Sequence, residues 1–347
     1  MPKPPVEYTE YLQLEKILNA QALESDKEQA HAHDEMLFII IHQAYELWFK
    51  QMHFELDSIL EIMNQKEVND NSPQLQTIVH RTHRISTILK VLVHQIDILE
   101  TMTPLDFYDF RDMLRPASGF QSWQFKMLES KLGLKFEHRH GQQYYLSMLK
   151  PEYVEQIKKL EQNKTLLELL NSWLERIPFF DDAALWKNYS PIAASAENLH
   201  PFWNDFVKIY SDSLVEGEKQ NIEIFNQLFF SDTKSEYSLL SSKAMRTGLF
   251  ILLYRGYPMM QAPFQMIHNL LDIDEQMATW RFRHINMVGR MIGSRVGTGG
   301  SSGKDYLRGA LDKHYIFKDF SLMSSFLIER KKLPKLSQEL ERRLGFY

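Results

Sequence analysis

No cysteine occurs anywhere in the 347 residues. That absence excludes disulfides, zinc–cysteine sites, iron–sulfur clusters, thiolate-ligated haem and covalent haem attachment through a CxxCH motif. It is compatible with a reducing cytoplasm, the expected location. Glycine and proline are scarce, at 14 and 13, so few residues interrupt secondary structure and long elements are expected. A basic excess is missing too. Forty Lys plus Arg stand against 45 Asp plus Glu, a formal net charge of −5 with no basic block, so no nucleic-acid partner is expected. The longest apolar runs, Met36 to Ile41 and Gly248 to Tyr254, fall far short of the roughly 18 residues of a membrane span, and no membrane partner is expected. The opening Met1-Pro2-Lys3-Pro4-Pro5 lacks the apolar stretch of a signal peptide. The sequons at Asn163 and Asn188 accordingly read as chance matches.

What is present is the ordinary mix of a folded globular chain, 44% apolar and 24% charged. From Asp34 to Gln65 there is no Gly or Pro, and Leu37, Ile41, Leu47, Met52, Leu56, Leu60 and Met63, with Tyr45 and Trp48, recur at helical spacing. One long helix is expected there, with Asp34 suiting its positive end. The turn cluster Val68-Asn69-Asp70-Asn71-Ser72-Pro73 leads into a second long helix over 74–101, making an antiparallel pair. Further helices are expected at 119–133, 151–175, 200–230, 236–255, 262–293, 304–313, 316–328 and 335–344, with hinges at Ser190-Pro191, Ser231-Asp232 and Gly256-Tyr257-Pro258. No alternating run argues a sheet and no repeat is visible. The reading is all-α: a single helical domain over 1–347 built on long core helices.

Histidine is the natural place to look for chemistry, with 13 copies and no thiol. The pairs His31/His33, His80/His83 and His138/His140 read as solvated or structural, since no HExxH and no repeated ExxH pattern accompanies them. His42 differs. It lies inside the first long helix, four residues after Phe38 and four before Glu46, so Phe38 and His42 share a face. It is either a hydrogen-bonded core histidine or a site residue. His284 lies in the helical, bulky run Trp280 to Val288, the kind of wall that holds the proximal histidine of a haem. Arg111, in Phe107-Tyr108-Asp109-Phe110-Arg111-Asp112, reads either as a partner of Asp109 or Asp112 or as a fork for a substrate carboxylate. Gly297-Thr298-Gly299-Gly300-Ser301-Ser302-Gly303 fails as a phosphate loop. Its outer glycines enclose one residue too many, Asp305 stands where Ser or Thr should follow Lys304, and no strand precedes it. It reads as a linker or as a flap over a polar ligand.

Together these segments resemble the tryptophan 2,3-dioxygenase family. The resemblance is carried by His33 through Trp48, by Phe110-Arg111-Asp112 through Pro116-Ala117-Ser118-Gly119-Phe120-Gln121-Ser122, by Trp280-Arg281 through His284, and by the GTGGSSG loop with Tyr306-Leu307. Tyr8-Thr9-Glu10-Tyr11-Leu12 through Asn19-Ala20-Gln21 fits as well, so the match runs from about Tyr8 to the last helix. It implies an all-α homotetramer with one b-type haem per subunit. The implied reaction inserts both atoms of O₂ across the indole C2–C3 bond of L-tryptophan, giving N-formylkynurenine, the entry to the kynurenine pathway. Carried over position by position, His284 is the axial iron ligand and His42 the distal histidine facing the indole N–H. Phe38 and Phe107 wall the indole, and Arg111 takes the carboxylate. Thr298 reaches the amino-acid end, and Ser118 lies over the haem. Tyr8, Tyr11 and Leu12, within a 1–22 segment, complete a neighbouring subunit's pocket. Some members have Tyr where this chain has Phe107. The stretch 180–255 is expected to form an extra helical element. The alternative from another class is a non-catalytic helical haem sensor, and a third is a cofactor-free helical scaffold.

Overall fold

The structure is a computed structural model that describes residues 5–65, 72–193, 199–231, 238–297 and 304–345. Its helices of ten residues or more are α1 (Asp34–Met63), α2 (Pro73–Leu99), α3 (Trp123–Leu132), α4 (Pro151–Leu160), α5 (Leu166–Arg176), α6 (Pro201–Ser213), α7 (Asn221–Phe230), α8 (Ser242–Leu253), α9 (Pro258–Ile292) and α10 (Lys304–Lys313). Among the described residues there is no β-strand.

The long helices follow from seam-like apolar spacing. On α2 the buried positions Leu75, Ile78, Thr82, Ile85, Leu89, Leu92, Ile96 and Leu99 alternate by three and four. On α1 the buried line is Ile41, Tyr45, Phe49, Met52, Leu56, Ile59 and Met63. Each makes a narrow stripe that neighbouring helices cover, and α2 packs against both α1 and α9. Leu47 and Trp48, expected on the inward face, point outward instead, being 55% and 38% exposed. They lie off that line, and the sequence spacing alone does not say which stripe is covered.

Among the described residues, five of these helices start at a side-chain cap. Ser72 accepts from the Leu75 N–H at 3.2 Å with Pro73 next to it. Pro258, at the first helical position, starts α9 four residues earlier than expected, and Gly293 at φ 58° ends it. Several expected helices are divided. Over 119–133, Ser122 caps a new helix and leaves a 3₁₀ turn at Gly119–Gln121. Over 151–175, Thr165 and Glu168 form a capping box that starts α5. Residues 200–230 become α6 and α7, Ser241 starts α8 within 236–255, and 316–328 becomes Lys318–Leu322 followed by a 3₁₀ turn. Apart from Gly119 and Gly217, these breaks carry no Gly or Pro, so breaker counting misses most of them.

The region 180–255 brings its own aromatic packing. Phe202, Phe206, Phe225, Phe229 and Phe250 are all fully buried, and they belong to the same contiguous core cluster as the α1–α2–α9 residues. The expected turn over 68–71, Asp232 and the segment 298–303 lie outside the described residues.

Candidate functional site

Two long helices hold the two singled-out histidines. On α1, Phe38 and His42 sit one turn apart with ring centroids 4.1 Å apart. His42 Nδ1 lies 2.7 Å from the Phe38 carbonyl oxygen. A carbonyl can only accept, so Nδ1 carries the hydrogen and Nε2 keeps its lone pair. The ring is accessible to solvent, yet crowding by protein pushes its pKa down, against the Phe38 carbonyl and the Glu46 carboxylate.

On α9, the Trp280 and His284 rings are parallel within 4° at 5.2 Å. Burial first, and then the electrostatic influence of His42, push the His284 pKa down to about 4. His284 is therefore a neutral imidazole, the form that binds a metal. It feels His42 across the sequence because α1 and α9 bring the two rings to one region. His284 Nδ1 is buried without a hydrogen-bond partner. Such an orphaned polar atom requires an explanation. A neutral, buried imidazole on which no protein group makes a claim at Nδ1 fits a histidine that would hold a haem iron. Among the described residues no group of three or more His, Asp or Glu could hold a metal ion by itself.

A short helix supplies the rest of the wall. Thr103 and Asp106 form a capping box with Pro104 at the first position, which starts Pro104–Tyr108. Phe107 then stacks on Phe38 at 5.7 Å. Phe110, fully buried, meets Phe38 at 5.6 Å and Phe107 at 5.4 Å, both edge-on. Sequence reasoning missed Phe110, although it immediately precedes Arg111.

Arg111 follows in a 3₁₀ turn and is 3% exposed. Its Nη2 donates to the Val296 carbonyl, and its guanidinium lies 5.2 Å from the Tyr108 ring centroid. Nε is buried without a partner. Neither Asp109 nor Asp112 pairs with it among the described residues. Asp112 instead meets Arg115 at 3.1 Å. A buried guanidinium without a carboxylate is costly, and its free edge suits a bidentate anion.

The other candidates are placed less closely. Ser118 caps the Gly119–Gln121 turn, accepting from Phe120 N–H at 3.3 Å, and no hydrogen bond or ion pair joins it to the histidines or Arg111. Thr298 lies outside the described residues. Tyr8 and Tyr11 are 73% and 74% exposed, and Leu12 also faces solvent. The two short helices Tyr8–Tyr11 and Leu14–Leu18 bury none of their residues. Only the root of this segment is tied down. Gln43 donates to the Ala20 carbonyl at 3.0 Å, and the buried Glu35 carboxylate accepts from Glu24 and Ser25 N–H at 2.8 and 3.0 Å. Of the histidines set aside earlier, His31 meets Asp26 at 2.6 Å and His80 meets Arg84 at 2.8 Å.

The sequence model of the family described as tryptophan 2,3-dioxygenase matches residues 3–327. The tryptophan 2,3-dioxygenase of Bdellovibrio bacteriovorus is 41% identical over 367 aligned residues, covering all of both chains. That of Xenopus tropicalis is 44% identical over 96% of this chain and 85% of its own. That of Rattus norvegicus is 42% identical over 95% of this chain and 84% of its own.

Proposed function

The chain belongs to the tryptophan 2,3-dioxygenase family, and from that premise we propose that it is a haem-dependent dioxygenase converting L-tryptophan and O₂ to N-formylkynurenine, the first step of the kynurenine route. The observation that carries this reading is Arg111: a buried guanidinium with no carboxylate partner among the described residues, one position beyond Phe110, which packs with Phe38 and Phe107. A sensor that binds only a gas or haem has no use for such a fork. An α-amino acid with a large flat ring does.

Haem b is held by neutral His284 in this reading, and when bound in its ferrous form it supplies the activation of O₂. The chain's own residues do the rest. Arg111 takes the carboxylate and fixes the amino-acid end. Phe38 and Phe107 wall the ring. His42 Nε2, left free by the Phe38 carbonyl, accepts the indole N–H and turns the C2–C3 edge of the ring to one side. Both oxygen atoms end in the product, so the reaction balances without an added reductant. Ser118 and Thr298 are assigned to the haem and amino-acid ends on family resemblance alone.

The working unit we propose is a cytoplasmic homotetramer. Two features support the assembly. Ile40, Leu47 and Phe54 lie seven residues apart on α1 and are 48%, 55% and 74% exposed, with Val91 and Ile98 exposed on α2. Tyr8 and Tyr11 are largely exposed and Leu12 partly so, as residues that complete a neighbour's site would be. No described helix is long and apolar enough to cross a membrane.

The test is to produce the protein with ample haem and record its absorption under air with and without L-tryptophan, identifying the product by mass. Formation of N-formylkynurenine supports the reading. A haem-loaded protein that leaves L-tryptophan unchanged would be a sensor, and a colourless one a scaffold.

A further inference from the structure

Two arginines flank His284 and take hold of different neighbours. Arg283 Nη2 reaches Asp97 at 2.6 Å and Glu100 at 3.0 Å, at the end of α2. Arg281 Nη2 reaches Glu129 of α3 at 2.6 Å, and its Nη1 donates to the His314 carbonyl at 3.3 Å. At about 100° per residue, positions 281 and 283 face nearly opposite sides of α9. The two grips therefore oppose rotation of the helix about its axis. They are unequal. Arg283 pairs are partly exposed and screened by solvent, whereas Arg281 and Glu129 are each 4% exposed.

Glu129 is the node of a buried network. Arg139 Nη1 lies 2.5 Å from its second oxygen, and His314 Nδ1 lies 3.8 Å from the oxygen that Arg281 holds. Burial alone would favour the neutral acid, but Arg139, His314 and Arg281 outweigh it and keep the carboxylate charged. Arg139 is itself fixed, donating to Ser130 Oγ at 3.1 Å and the Lys126 carbonyl at 3.2 Å, with Tyr145 stacked 3.7 Å beneath it. The His140 N–H donates to His314 Nε2 at 3.0 Å. One turn back along α3, Phe125 packs on Trp280 at 5.0 Å, the ring on which His284 stacks. So α3 meets α9 at two successive points, both in the turn that precedes His284.

We propose that Arg281, anchored on Glu129, is a positioning residue for His284: it sets the rotation of α9 and thereby the direction in which the Trp280-backed imidazole presents Nε2 to haem iron. The proposal rests on His284 being the axial ligand. Outer partners of a metal-binding histidine fix its ring orientation, and losing one weakens metal binding by about 10- to 100-fold.

The experiment uses full-length, haem-loaded protein and compares Arg281→Met, Arg281→Lys and Arg283→Met with wild type. Two properties are read: the iron–histidine stretching band of the ferrous protein by resonance Raman, and the rate of haem transfer to excess apomyoglobin. Arg281→Met keeps the Glu129–Arg139 pair and should retain helicity. Its band should shift and broaden, and its haem loss should quicken on the order of tenfold. Arg281→Lys should recover part of both, and Arg283→Met should stay near wild type. An unchanged band and transfer rate in folded Arg281→Met overturns the proposal. If that variant does not fold, Arg281→Lys decides alone, because an ammonium lacks the rigid planar fork with which the guanidinium holds Glu129 and the His314 carbonyl. Wild-type readouts there overturn the proposal equally. His284→Ala separates the two levels: haem retained in that variant removes the premise, whereas haem lost there with Arg281 variants unaffected removes only the positioning role.

Discussion

His42 Nδ1 donates to the carbonyl oxygen of Phe38 at 2.7 Å, one turn back on the same helix. That one bond fixes the imidazole tautomer and leaves Nε2 as an acceptor for a substrate N–H. It also ties the histidine to the residue that stacks with Phe107.

A positioning histidine and an essential base differ in magnitude. General-base catalysis is worth about 10² to 10⁴ in rate, whereas a positioning hydrogen bond contributes roughly 0.5–1.5 kcal/mol, about tenfold at most. His42→Ala should therefore retain substantial kcat with L-tryptophan and accept 1-methyl-tryptophan better than wild type does. Measuring kcat for both substrates in both proteins checks this. A loss of about 10³ or more with normal haem content would make His42 a base.

The same group sets a pH dependence. Burial lowers the His42 pKa below its ordinary 6.5, so the free Nε2 lone pair persists as pH falls through that value. The KM for L-tryptophan should stay level through pH 6.5 and rise only at lower pH. A rise already under way at pH 7, absent in His42→Ala, would contradict the desolvated environment.

Arg111→Leu removes the fork. Leaving the partner of a buried charge unpaired costs about 3–5 kcal/mol, so kcat/KM should fall on the order of 10²-fold or more. Wild type should correspondingly reject tryptamine, which lacks the carboxylate. Equal turnover of tryptamine and tryptophan would show that the guanidinium serves another end.

His284→Ala should purify with little haem and no dioxygenase activity, while its helical content stays near wild type. Normal haem content in that variant would move the axial ligand elsewhere.

Deleting residues 1–20 removes Leu12 and the largely exposed Tyr8 and Tyr11. The truncated protein should keep its haem and its fold but show a strongly raised KM for L-tryptophan. Unchanged kinetics would mean that the segment serves no neighbour's site.

Sequence alone determined the helical class, because the scarcity of Gly and Pro and the three–four spacing of residues such as Leu75, Ile78, Thr82 and Ile85 leave the backbone few other ways to bury its apolar side chains. His42, His284, Arg111 and Phe38 could be singled out as candidates from the sequence, since each stands in a short run whose residue types are unusual. What the tertiary structure decided is everything that depends on which elements meet. Whether Arg111 pairs with Asp109 or Asp112 is undetermined by adjacency in the chain, and the fold turns its donors to Val296 and away from both acids. That His42 influences His284 follows from α1 and α9 sharing one region. That Leu47 faces outward while Phe49 is buried depends on which stripe of α1 its neighbours cover. Glu129 and Arg281 carry no local signal at all, because a buried ion pair between two helices is a property of packing, and periodicity within either helix does not reveal its partner.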